Sequence, residues 1–337
     1  QSNDEAYSVI HDASGNVIIT GYFADTVDFD PGPLTYTLAG VNGSVFISKL
    51  DVNGDFVWAK EIGNNVSVYS HALCLDKSKN VYVSGYFNYT VDFDPGPTSY
   101  TLSSGLGDDA FMLKLDPNGN FVWAKQFAAN YPYFCIARSM KSDKDNNLFI
   151  LCDFEGTVNL DPGINNISVI SNSISDILVS KLDSNGVFIW AKHMGGTLSD
   201  KARSIDVAKD GSIYSTGSFN GTCDYDPGSG VSNITSNGGT DIFIHKLAPT
   251  TIGIDEIHIK NHLSVFPNPV SDFLYIKEPY NFNINDVILY NNLGRQILLK
   301  KSIENNKIDV RSIPEGFYLL EIIFDNKSFF DKILIAR

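Results

Sequence analysis

The sequence predicts an all-β chain: a β-propeller-like array of four tandem units of about 65 residues, followed by a small β-sandwich. Three observations carry this. A set of landmarks recurs in one register as far as residue 248. The segments between them alternate apolar and polar with the period of a strand. After Lys246 the landmarks stop and a differently patterned run begins.

Gly-Tyr-Phe followed by Asp-Phe-Asp-Pro-Gly occupies Gly21–Gly32 and Gly85–Gly96, and returns altered at Cys152–Gly163 and Gly217–Gly228. The aspartate before Pro-Gly falls at Asp30, Asp94, Asp161 and Asp226, giving periods of 64, 67 and 65. Lys-Leu recurs at Lys49, Lys114, Lys181 and Lys246, and Trp-Ala-Lys follows at Trp58, Trp123 and Trp190.

Within a unit, Val81, Val83, Gly85 and Phe87 alternate with Tyr82, Ser84 and Tyr86, as Val17, Ile19, Gly21 and Phe23 do in the first. The central glycine signals a close approach by neighbouring atoms, because glycine otherwise weakens a strand. Cys152 in its place requires local adjustment. A second strand is expected over Val45–Leu50 and a third over Phe56–Lys60. Asp51-Val52-Asn53-Gly54 joins them, and Asn-Gly there, at Asn118-Gly119 and at Asn185-Gly186 predicts type I′ hairpins. A further strand near Ala6–His11 brings each unit to about four, and tandem four-stranded units bury their faces against one another as propeller blades do.

Lys79–Gly85 and Asn118–Lys125 resemble the signatures of bacterial β-propeller repeat proteins, with Lys79 replacing a glycine and Asn120 inserted. That resemblance spans residues 1–248 and implies a fold without fixing a function. The chain opens at a place equivalent to Thr197, and the fourth unit lacks a Trp-Ala-Lys strand. Either a four-bladed ring closes imperfectly or upstream blades are lost; the expectation is loss, because unpaired strand edges are a liability. Gln1 is preceded by no basic start and apolar stretch, so a signal peptide has been removed or upstream sequence is missing.

Hydrophobic residues make up 43% and charged residues 19%, the balance of a folded chain. A net charge of -14 repels phosphate backbones and argues against nucleic acid as a partner. Cys74, Cys135, Cys152 and Cys223 show no metal-type spacing and read as core residues. No apolar run reaches the roughly 18 residues of a transmembrane segment.

The repeated carboxylates Asp28 and Asp30, Asp92 and Asp94, Asp224 and Asp226, with Asp161 beside Asn159, are the candidate metal ligands. Calcium takes six to eight oxygens, so each pair supplies part of a shell. The competing and favoured expectation is that Pro-Gly turns while the aspartates hydrogen-bond nearby backbone. No other cofactor is called for. Trp58, Trp123 and Trp190 could stack sugars, but their fixed place in each unit suits packing. Tyr7, His71, Arg138 and Arg203 occupy equivalent positions with different chemistry; with His193 and Glu155 they form no catalytic spacing.

Residues 249–262 read as a linker, and 263–337 as a second domain of short strands. Val265-Phe266-Pro267-Asn268-Pro269, Leu293-Gly294-Arg295, Pro314-Glu315-Gly316-Phe317-Tyr318 and Lys332-Ile333-Leu334-Ile335 follow in order. This series resembles the type A sorting domain of the type IX secretion system of Bacteroidota, an immunoglobulin-like β-sandwich. The resemblance implies Pro267, Asn268, Pro269, Gly294, Gly316, Tyr318 and Lys332 as sorting-signal residues. It also implies the secretion machinery as partner, and passage through the periplasm to the outer-membrane surface or beyond. The repeat array is then expected to be a non-enzymatic module binding an extracellular protein or glycan; the alternative is an extracellular hydrolase or a substrate-binding fragment of one.

Overall fold

The computed structural model describes residues 4–63, 67–161, 166–172, 174–228, 230–248, 264–277, 284–291, 295–301, 307–324 and 327–337. Every regular element among them is a strand. The chain divides into two compact units, Gln1–Pro249 and Thr250–Arg337. The linker expected at 249–262 lies outside the described residues.

The first repeat unit is a four-stranded antiparallel sheet in chain order: β1 (Glu5–His11), β2 (Val17–Asp28), β3 (Thr37–Leu50) and β4 (Phe56–Ile62). The second contains β5 (Val68–Leu75), β6 (Val81–Phe87), a short hairpin of β7 (Thr90–Asp92) and β8 (Thr101–Ser103), then β9 (Asp109–Leu115) and β10 (Phe121–Ala129). The third repeats this with β11 (Cys135–Ser142), β12 (Leu148–Phe154), β13 (Thr157–Asn159), β14 (Ser168–Ile170), β15 (Asp176–Leu182) and β16 (Phe188–Gly196). Among the described residues the fourth has three strands, β17 (Lys201–Val207), β18 (Ile213–Asp224) and β19 (Asn233–Leu247). Outer strands lace units together: Ala128 and Ala129 pair with Asn159 and Val158, and Gly195 and Gly196 with Asp224 and Cys223.

Three apolar cores lie between the units. Val45 and Ile47 pack with Val81 and Val83, Ala110 and Met112 with Leu148 and Ile150, and Ile177 and Val179 with Ile205 and Ile213. Each large aliphatic side chain so buried contributes about 1.5–3 kcal/mol, and this repeated burial holds the array together. The first strands pack in succession, β1 on β5, β5 on β11 and β11 on β17. Among the described residues no packing of comparable extent joins β17 to β1, so the four units form an open array.

The central glycines sit where the first strand bulges. The register shifts between Ala6 and Ser8, Ser70 and Ala72, Ala137 and Ser139, and Ala202 and Ser204. The bulge brings the Tyr69 carbonyl so close to Gly85 that a β-carbon would overlap its oxygen. The same bulge persists opposite Cys152.

The Asn-Gly turns differ from expectation. Gly54, Gly119 and Gly186 have φ of 88°, 78° and 75°, but the asparagines before them are absent from the residues with positive φ. Gly54 N donates to the Asp51 carbonyl at 3.0 Å, and Asp51 Oδ1 accepts from Asn53 N at 2.8 Å and Asp55 N at 3.0 Å. This is a right-handed turn closed by one left-handed residue, in place of type I′. Asp116 and Asp183 organise their turns identically. So do Asp12, Asp76 and Asp143 in the loops between the first two strands of each unit.

The tryptophans pack between units. Trp58 Nε1 donates to Pro117 O at 3.2 Å and Trp123 Nε1 to Ser184 O at 3.3 Å, each reaching the turn of the next unit. The four cysteines are buried free thiols.

In the C-terminal unit, β20 (Ser264–Phe266), β21 (Phe273–Lys277), β22 (Ile284–Tyr290), β23 (Gln296–Lys301), β24 (Lys307–Asp309), β25 (Gly316–Phe324) and β26 (Lys327–Ile335) form two sheets. One has the order β20-β21-β24 and the other β23-β22-β25-β26. Val265, Leu274, Ile276 and Ile308 of the first face Val287, Leu289, Leu320, Ile322 and Ile333 of the second across one core. That is a small β-sandwich, in which alternate residues of each strand point inward.

Candidate functional site

Because the first strands run side by side, equivalent side chains on them form a row across all four units. Tyr7 meets His71 edge-on at 6.4 Å between ring centroids, and His71 lies 5.5 Å from Tyr86. Tyr69 stacks on Tyr22 at 5.4 Å and on Tyr86 at 5.1 Å. His71 Nδ1 lies 3.1 Å from the Ala137 carbonyl, and Arg138 Nε donates to Asp153 Oδ2 at 2.8 Å. Asp153 Oδ1 accepts from Ala202 N, tying the third unit to the fourth beside Arg203.

The electrostatics follow from burial and neighbouring charge. Burial and the nearby Arg138 guanidinium both push the His71 imidazole below its ordinary value, favouring the neutral ring. Burial raises the Asp153 carboxyl, against the opposing pull of Arg138. Burial and the bond to Glu5 push the Tyr7 phenol up to about 12, so it remains a donor across the biological range. One end of the row thus presents aromatic faces and the other a guanidinium–carboxylate pair. Ring faces suit C–H surfaces, and a guanidinium–carboxylate pair suits polar groups.

The aspartates proposed from sequence lie elsewhere. Asp28 Oδ1 accepts from Asp30 N at 3.1 Å and Tyr36 N at 2.9 Å, and Asp30 Oδ1 from Gly32 N at 2.7 Å. Asp92 and Asp94 repeat this with Tyr100 N and Gly96 N, and Asp224 and Asp226 with Ser232 N and Gly228 N. Asn159 Oδ1 takes the Asp161 amide at 3.1 Å. Each pair organises its own turn, and the turns belong to four separate units. Among the described residues no three His, Cys, Asp or Glu side chains come together in a metal-binding group.

The sorting residues converge on the last strand of the sandwich. Asn268 Nδ2 donates to the Lys332 carbonyl at 2.7 Å, and Asn268 Oδ1 accepts from Leu334 N at 2.9 Å. Pro267 and Pro269 flank this bridge, while Val270 N donates to Leu334 O at 2.8 Å. Lys332 Nζ sits 4.5 Å from the Phe317 ring centroid, Tyr318 OH donates to Pro314 O at 2.9 Å, and Gly316 pairs with Ile335. Gly294 lies outside the described residues. Sequence reasoning missed Arg337, whose Nη2 lies 3.0, 2.8 and 2.7 Å from the carbonyls of Val310, Arg311 and Ile313. Its terminal position gave the only hint.

Residues 264–336 match the family described as secretion system C-terminal sorting domain. Over 253 residues the chain is 22% identical to an uncharacterized WD repeat-containing protein of Acanthamoeba polyphaga mimivirus, covering 64% of this chain and 18% of that protein. The chain therefore spans less than a fifth of that relative's length. A solved protein of unknown function from Bacteroides caccae aligns at 10% identity with a TM-score of 0.34, covering 98% of this chain and 83% of the other. The extracellular domain of a one component system from B. thetaiotaomicron aligns at 14% identity with a TM-score of 0.28, covering 98% and 43%. No helix of the described residues is long and apolar enough to cross a membrane. The C-terminal segment is thus a type IX secretion sorting domain, and the chain is an all-β, propeller-like repeat protein marked by it for the cell surface or beyond.

Proposed function

We propose that the repeat array is a non-enzymatic binding module that holds a glycan along the row formed by Tyr7, Tyr22, Tyr69, His71, Tyr86, Arg138 and Arg203. The observation that carries this reading is the stack of Tyr22, Tyr69 and Tyr86 beside the Arg138–Asp153 pair. Flat aromatic faces suit the apolar faces of sugar rings, and a fixed guanidinium–carboxylate pair suits their hydroxyls. These faces favour a glycan over a protein ligand. The row's carboxylates are already engaged, Asp153 by Arg138 and Ala202, and Glu5 by the Tyr7 hydroxyl at 2.9 Å. A hydrolase of glycosides instead needs two carboxyl groups free to face one bond.

The test is binding of the full chain to an array of extracellular polysaccharides, followed by calorimetry on those retained. Arg203→Ala is expected to weaken binding about tenfold, the loss of one charged contact, without moving the melting temperature; Tyr69→Ala, which removes the ring that joins Tyr22 to Tyr86, is expected to weaken binding comparably and to lower the melting temperature as well. Retention of no glycan, or wild-type affinity in both variants, overturns the proposal.

A further inference from the structure

The third unit alone carries cysteine at two places where its sister units have other residues, and the two places are neighbours. Cys152 faces Ala137 where Gly21, Gly85 and Gly217 face Ala6, Ser70 and Ala202. Cys135 pairs with Phe154 as Val68 pairs with Phe87 in the second unit. Its amide donates to the Asp108 carbonyl as that of Asp200 donates to Ser175 in the fourth. The glycine is the harder position to replace. At Gly21, Gly85 and Gly217 a β-carbon would come within 2.0, 1.8 and 2.0 Å of a carbonyl oxygen on the first strand. Carrying Cys152 there requires the first strand to give way, a cost in packing that calls for some return from the thiol.

β11 and β12 run antiparallel, so Cys135 and Cys152 stand on one diagonal of the ladder and point to the same face of the sheet. Both side chains are fully buried in the core between the second and third units. Their thiols hydrogen-bond each other. Burial first, and then this bond, push the Cys135 thiol well above its ordinary value, so the reduced pair is unreactive once the unit has closed. The other two cysteines are placed differently. Cys74 faces Tyr82 across its strand pair, and Cys223 faces Gly196 on one side and Ile234 on the other.

We propose that Cys135 and Cys152 join in a disulfide as the exported chain folds outside the cytoplasm. The sorting domain marks this chain for export, and disulfides form and persist in oxidising compartments. The oxidant is a disulfide donor of the thiol oxidoreductase class, which meets the thiols before the third unit closes. One cysteine thiolate attacks the donor's disulfide and releases one donor thiol; the second thiolate attacks the mixed disulfide and releases the other. The cysteines lose two electrons and two protons, and the donor takes up both as a dithiol. The bond pins the strand of Arg138 to the strand of Asp153, which follows Cys152 directly and pairs with Arg138 at 2.8 Å. It fixes that charged pair in register whether or not the row holds a glycan.

Thiol counting on the exported chain tests this. Protein recovered from the cell surface or medium is unfolded in denaturant with an alkylating reagent, weighed and mapped by peptide. Alkylation is expected at Cys74 and Cys223 alone, with a peptide pair linking Cys135 to Cys152, and at all four cysteines after prior reduction. Refolded in reductant, the chain is expected to melt roughly 5 °C lower, since the bond constrains a short loop of the unfolded chain. Cys135→Val, which installs the second unit's residue, is expected to add Cys152 to the alkylated set and to abolish the response of the melt to reductant. Cys74→Ala is expected to keep both the link and the response. Alkylation of all four cysteines in the exported wild type, a link that uses Cys74 or Cys223, or a melt that reductant does not move overturns the proposal.

Discussion

Asp109 is buried with both oxygens engaged, Oδ1 by Ala129 N at 2.7 Å and Oδ2 by Gln126 Nε2 at 2.6 Å, yet burial pushes its carboxyl up to about 7. Desolvation of the anion outweighs the two hydrogen bonds. The folded chain therefore holds the proton more tightly than the unfolded chain, whose carboxyl titrates near 4. Stability from this group is fullest below the unfolded value and falls as pH rises from about 4 to about 7. Asp200, raised to about 6 by burial, acts in the same direction over a narrower window. The melting temperature of the full chain is expected to decline across this range. Asp109→Asn, which cannot ionise, is expected to flatten the decline and to gain on the order of 2–4 kcal/mol relative to wild type between pH 4.5 and pH 8. Parallel profiles for the two proteins contradict this account of Asp109. At this scale the sequence is legible where one residue answers to one steric demand, as Gly85 does to the Tyr69 carbonyl. It is silent on Asp109, whose raised titration comes from burial that only the packed strands create.

Six turns share one design at the scale of elements, and one of them breaks its rule. The fourth residue of each has positive φ: Gly15, Gly54, Gly119 and Gly186, but also Asn146 at 65° and Lys79 at 63°. A side chain there costs about 1–2 kcal/mol, less for asparagine than for lysine. Lys79 offsets part of this through Ser14 Oγ at 2.6 Å and Asp12 at 3.4 Å, contacts made by a partly exposed side chain and worth little. Lys79→Gly is expected to raise unfolding free energy by about 0.5 kcal/mol, while Lys79→Ala, which keeps the strain and loses the ion pair, lowers it by a similar amount. Denaturant unfolding of the three proteins decides the matter; a loss in the glycine variant contradicts the strain argument. The Asn-Gly pairs located three of these turns in the sequence but suggested the wrong geometry. The controlling group is the aspartate three residues before the glycine, whose carboxylate takes two backbone amides. The Asp-x-Asp-Pro-Gly pairs read equally well as metal ligands or as turn formers in one dimension. In three of the four turns one oxygen of each carboxylate takes backbone amides of the same turn, and no spacing could reveal that the turns belong to separate units.

The whole molecule joins a repeat array to an address. The periods of 64, 67 and 65 residues and the change of pattern after Lys246 made the architecture legible, because a repeat writes its packing several times over. The row from Tyr7 to Arg203 was visible as equivalent positions, but not as a site, since its members touch only when separate units pack side by side. In the sandwich, the order of motifs sufficed for the sorting domain, whereas the clasp of Asn268 on the last strand follows from a fold that brings residues 64 apart together. The most direct measurement removes residues 263–337 and follows the repeat array by protease added to intact cells and by cell fractionation. The account predicts that the full chain delivers the array to the surface or medium, open to protease, and that the truncated chain accumulates in the periplasm, protected. Delivery of the truncated array to the surface at the wild-type level would contradict it.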